Sequence, residues 1–197
     1  MIIENGAGDS KKLRINGRNE AMVFSVTESE AQASAELGDA FNINTGEITL
    51  TTSTSSALLY FKNDEDTDVI IESIAMGFKN TTVTDSHLAV YIVRNPTAGT
   101  IIDDASAVAM NENRNFGSSK TLKSTTSAYK ASAQSKTFTD GDDIILFHAN
   151  TEGRLFASIN IEVPRGSSLG IRVDSASLAT TVYSALVLHR KDSGRVN

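Results

Sequence analysis

Between Leu155 and Val163 apolar and polar residues alternate without a break. Leu155, Ala157, Ile159, Ile161 and Val163 share one face, and Ser158, Asn160 and Glu162 share the other. A period of two marks a β-strand with one buried face. The regularity of this stretch predicts a central strand with its odd-numbered residues in the core. The same reasoning predicts strands over residues 42–44, 47–51, 56–62, 68–78, 87–94, 143–148, 168–174 and 182–189. Polar turns separate them. None is followed by the helical crossover that a parallel sheet needs.

One segment reads as a helix. Thr27 and Glu30 have the spacing of a capping box, in which each side chain satisfies the other residue's free backbone N–H. Residues 28–37 are rich in Ala, Glu and Gln, and Gly38 stands where a C-terminal cap glycine is expected. Residues 1–20 hold too few apolar side chains for a core and read as an arm, and residues 21–26 as a short strand. The expected architecture is all-β: an antiparallel β-sandwich of the jelly-roll kind, with an N-terminal arm and one short helix. The arm, short strand and helix occupy residues 1–38 and the sandwich residues 39–197.

Residues 95–142 fit this pattern least, because their apolar residues are sparse. A structureless loop of that length is improbable inside a compact domain. Short strands are expected over residues 100–102, 107–111 and 120–122.

Composition narrows the chemistry. The 197 residues include no cysteine, which excludes disulfides, thiolate metal sites and cysteine nucleophiles. A net charge of −6, from 24 acidic and 18 basic residues, argues against nucleic acid as a partner. Lys11, Lys12, Arg14 and Arg18 form a basic cluster in the arm. Residues 19–61 carry six acids and no Lys or Arg, which reads as an acidic, solvated face or as a patch for a basic partner. No apolar run approaches the ~18 residues of a membrane span. The opening residues lack the basic and apolar regions of a signal peptide.

Candidate sites are few. Asp64, Asp66 and Asp68 alternate as in a calcium loop, but Val69 and Ala75 stand where that loop needs Gly and Glu. No metal site is expected there, and a solvated hairpin loop accounts for these residues. His87, His148 and His189 sit at separate strand ends without metal-ligand spacing, and no nucleophile motif occurs. No catalytic residue and no cofactor are therefore expected. Asn113, Arg114, Asn115 and Phe116 combine planar amides, a guanidinium and an aromatic ring. They form a candidate ligand or inter-subunit loop, although the same residue types also build turns.

Five segments carry a family resemblance. They are Gly38-Asp39-Ala40-Phe41-Asn42-Ile43-Asn44-Thr45-Gly46 with Ile48-Thr49-Leu50-Thr51, then Tyr60-Phe61-Lys62-Asn63, then Arg94-Asn95-Pro96-Thr97-Ala98-Gly99-Thr100, and Asn113-Arg114-Asn115-Phe116-Gly117-Ser118-Ser119. The series, covering about half the chain, resembles accessory virion proteins of tailed bacteriophages, of the capsid-decoration or head-associated kind. The resemblance implies a β-sandwich with an N-terminal segment and no cofactor. It leads to the expectation of a capsid decoration or cement protein on the outer head surface, a homotrimer whose partner is the major capsid protein. Lys11, Lys12, Arg14 and Arg18 would provide the capsid-binding contacts. A receptor- or carbohydrate-binding module of a head or tail fibre is the alternative. A depolymerase would need paired carboxylates in a cleft, whereas the acids here cluster in turns and in the helix.

Overall fold

The computed structural model describes residues 29–50, 54–80, 87–103, 110–128, 138–150, 153–175 and 180–191. The arm and the expected strand at 21–26 lie outside the described residues. Helix α1 (Glu30–Leu37) is followed by β1 (Ala40–Asn44), β2 (Ile48–Leu50), β3 (Thr54–Lys62), β4 (Val69–Asn80) and β5 (His87–Arg94). Then come α2 (Thr100–Asp103), β6 (Met110–Asn113), β7 (Thr125–Ala128), β8 (Asp142–Asn150), β9 (Gly153–Val163), β10 (Ser168–Ser175) and β11 (Thr180–Arg190).

Helix α1 starts two residues later than the Thr27 box implies. Ser29 is the N-cap, and its hydroxyl accepts a hydrogen bond from the Gln32 N–H at 3.2 Å. Ser29 and Gln32 repeat the same spacing, so the local motif holds two overlapping solutions. The end is as expected. Gly38 adopts φ 75°, a left-handed conformation that costs glycine little. Its N–H bonds to the Ala35 carbonyl and the Asp39 N–H to that of Ser34, which satisfies two orphan acceptors.

Two antiparallel sheets form the sandwich. One runs β6-β1-β11-β4-β9, with β2 continuing β1 along the same edge of β11, and the other runs β7-β3-β10-β5-β8. The pairings β5–β8, β4–β9, β3–β10 and β1–β11 nest like one long hairpin folded over on itself. Successive pairs alternate between the sheets, which is jelly-roll connectivity. Thr45 bridges the break between β1 and β2. Its N–H donates to the Ser184 carbonyl at 3.0 Å, and its hydroxyl accepts from the Ser184 N–H at 2.9 Å. The ladder along β11 thus continues across the kink.

The inner faces supply the core. Ile43, Ile71, Ile74, Met76, Leu186 and Leu188 from one sheet meet Leu59, Phe61, Leu88, Val90, Ile92 and Ile171 from the other, all essentially inaccessible. Each such side chain contributes about 1.5–3 kcal/mol on burial. Glu72 interrupts β4. The chain faces inward at Ile71 and again at Ile74, with a register shift between Ile71 and Ser73 against both β9 and β11. Such a bulge re-aims a side chain, and Glu72 is the residue it frees.

Two expectations change. Strand β9 lies at the edge of its sheet. Its odd-numbered residues do face inward, but 155–161 are only half-buried and Val163 alone is buried. Alternation reports a face; it says nothing of lateral position, which depends on pairing with strands far away in sequence. Within 95–142, residues 100–102 belong to helix α2 rather than to a strand, and 120–122 are irregular. β6 overlaps the end of the expected 107–111 strand, and β7 begins beyond 122. This long connection adds β6 to the edge of one sheet and β7 to the edge of the other. It also lays Ile101 and Phe138, both buried, against the second sheet, where the Phe138 ring covers Gly170 and tilts against Tyr60 at 6.5 Å.

Candidate docking surface

Residues 114–124 link β6 of one sheet to β7 of the other across the side of the sandwich. They are mostly polar, so apart from the buried Leu122 their order comes chiefly from hydrogen bonds. Asn113 Nδ2 donates to the carbonyls of Gly38 at 2.8 Å and Lys120 at 3.0 Å, while Asn113 Oδ1 accepts from the Asn115 N–H at 2.8 Å. Asn115 Nδ2 donates to the Glu36 carbonyl at 2.8 Å, and its Oδ1 accepts from the Gly117 N–H at 3.0 Å. Both amides of the predicted loop are therefore spent in stitching it to the end of α1.

Arg114 reaches Glu72 Oε1 at 3.0 Å, and His189 Nδ1 meets the same oxygen at 3.0 Å. The β4 bulge thus holds a carboxylate between the loop's guanidinium and a buried imidazole. Phe116 is the exception among the four candidate residues. Its side chain is fully exposed at 102%, on a turn held by the Asn113 and Asn115 bonds. Leu37, on the helix end to which that turn is bonded, is 63% exposed. Two large apolar side chains on a rigid support form a preorganised contact surface.

Behind the loop lies an ion network that the sequence did not announce. Arg190 donates to Glu65 and Asp39 at 3.0 and 2.9 Å and to the Thr121 carbonyl at 2.7 Å, and it stacks on Phe41 at 4.9 Å. Glu65 is almost fully buried at 3% and also accepts from the Lys123 N–H. Lys120 binds Asp39 at 2.7 Å. Burial pushes the Asp39 carboxyl up, but hydrogen bonds and charge from Lys120 and Arg190 outweigh it and hold the group below its ordinary value. Arg190 is pushed down by burial and, more strongly, up by its two carboxylates. Nothing local in the sequence marks these partners, because they stand up to 151 positions apart.

The aspartates of the 64–68 loop diverge. Asp64 accepts from the Thr125 N–H and hydroxyl and pairs with Lys62, Asp66 lies near Lys123 and Arg165, and Asp68 accepts from the Arg165 N–H. Among the described residues no three His, Asp or Glu side chains gather as a metal site. His148 is exposed on β8 and His189 is buried on β11, in different sheets. The basic residues Lys11, Lys12, Arg14 and Arg18 lie outside the described residues. No described helix is long and apolar enough to cross a membrane. No protein-family model and no curated protein matches the chain significantly.

Proposed function

We propose that this chain is a structural protein of a tailed-bacteriophage virion, a decoration protein that binds the outer surface of the head and stabilises it. The observation that carries the reading is the fully exposed Phe116 on a turn tied rigidly to α1. A fixed aromatic side chain left uncovered by the described residues is a ready anchor for a pocket on the major capsid protein. The connectivity fits, since jelly rolls serve as capsid domains, although a fold by itself hosts many functions. Lys11, Lys12, Arg14 and Arg18 would add contacts to an acidic capsid surface. Bound copies stabilise a shell by mass action, as any ligand of the assembled state does.

The carbohydrate-binding alternative draws less support at this loop, because the amides of Asn113 and Asn115 already bind the chain itself. The test is co-sedimentation of the purified protein with capsids that lack it, beside a glycan array. Binding to capsids that F116S weakens at least tenfold supports the proposal. Glycan binding without capsid binding overturns it.

A further inference from the structure

The sandwich is closed unequally on its two sides. On one, β6 and β7 extend the sheets and the 114–124 segment ties them together. On the other, β8 and β9 are outermost, and among the described residues no strand pairs with their outer edges. A cleft of about 270 Å³ opens there between the sheets, lined by Ile144, Ile161, Val163 and Leu169. The flank is apolar. Phe156 is 71% exposed, Leu146 47% and Ile144 40%, while Leu155, Ala157, Ile159 and Ile161 are half-buried.

Strand β9 is long for an edge, at 11 residues, with neither Lys nor Pro in it. Proteins blunt such edges with those residues, or cover them, because a free ladder of N–H and C=O groups recruits another strand. Its two charges, Arg154 and Glu162, stand near opposite ends of the strand, on the outward face, four positions either side of Ser158. Inward and outward residues alternate between them, although β9 carries an extra residue on the way: Ile159 and Asn160, the latter at φ 46°, stand opposite the single Glu72 of β4.

We infer that β9 pairs with β9 of a second copy of this chain, antiparallel, about a two-fold axis at Ser158. The charges choose the register. With Ser158 opposite its own copy, Arg154 faces the partner's Glu162 at both ends of the ladder. Inward-facing Leu155 then meets the partner's Ile161, and Ala157 meets Ile159. A slip of two residues leaves both charges without their opposite. A slip of one sets inward residues against outward ones. Glu162 already binds Lys191 at 2.9 Å but keeps 44% of its side chain exposed, so it can share its charge with the arginine of a second copy. Opposite charges and apolar pairs directly across an antiparallel ladder each favour the pairing. An isologous edge contact of this kind closes as a dimer. It is an alternative to the expected trimer as the mode of self-association. The inference concerns the isolated chain and stands or falls independently of capsid binding.

The absence of cysteine makes the register directly testable. Two strands paired at Ser158 bring its Cα atoms to about 5 Å, inside the span of a disulfide. The Phe156 Cα atoms would then lie about 13 Å apart, four residues of strand rise. Under mild oxidation S158C should form a covalent dimer and F156C should stay largely monomeric. Circular dichroism should show that each variant folds, as expected for outward-facing positions. R154E, which sets two carboxylates opposite each other, should slow S158C cross-linking about tenfold. Equal or faster cross-linking of F156C would refute this register. S158C that stays uncross-linked, or a wild-type protein that sediments as a monomer or a trimer at high concentration, would refute the pairing itself.

Discussion

Phe138 lies directly on Gly170: a Cβ at position 170 would come within 2.3 Å of the ring. The glycine on β10 is the socket that lets the end of the long connection pack against the sheet. Gly170→Ala should cost about 1–3 kcal/mol through overpacking, and Phe138→Ala about 3–5 kcal/mol through the lost ring. In a double-mutant cycle read by urea unfolding, Gly170→Ala should be nearly neutral once Phe138 is already Ala. Additive costs would mean that the two side chains act independently.

Arg190 should be the costliest surface-facing residue to truncate. Its loss strands Glu65, buried at 3%, without its cation. Arg190→Ala should destabilise by about 3–5 kcal/mol, whereas replacing Arg190 and Glu65 together by Met and Leu should recover much of it. Chemical denaturation of the three proteins at neutral pH checks this.

Acid should weaken the same region, and the sign follows from Asp39. Its carboxyl titrates below its ordinary value in the folded chain. The unfolded chain therefore takes up the proton first. The stabilisation from this group is complete above about pH 4 and disappears as pH falls through the lower folded value. Asp64 is held low too, its burial outweighed by bonds from Thr125 and Lys62. Urea midpoints should fall below about pH 4, less steeply in Asp39→Asn. An unchanged slope in that variant would remove Asp39 from the account.

Ser29→Ala should cost about 1 kcal/mol, because it removes the acceptor for the Gln32 N–H. Thr27→Ala should cost much less. Thermal melts of the two variants decide between the overlapping capping boxes.

Chelation should leave the melting temperature unchanged. The 64–68 carboxylates are already engaged by Lys62, Thr125, Lys123 and Arg165. A fall of many degrees in EDTA would reveal a cation held elsewhere.

The strands flanking the core were legible because their period of two is set by burial of one face. Residues 87–94, for example, match β5 end to end. The rank of β9 within its sheet was not legible, because neighbours are chosen by pairings such as Ile74 with Ala157, more than eighty residues apart. The 95–142 segment was obscure for a related reason. Its strands are polar and short, and exist as edges added to β1 and β3. At the candidate loop, residue types identified the place but not the roles. Asn113 and Asn115 turn out to build the turn, and Phe116 is the side chain left to meet something else. Glu65 and Arg190 carried no local signal at all.

The central proposal, that this chain decorates the head of a tailed phage, is most directly tested by electron cryo-microscopy of phage capsids incubated with the purified protein. The account predicts sandwich-shaped density on the outer head surface, with the end bearing α1 and Phe116 seated against the major capsid protein. A head without such density, or one bound through another face of the sandwich, would contradict it.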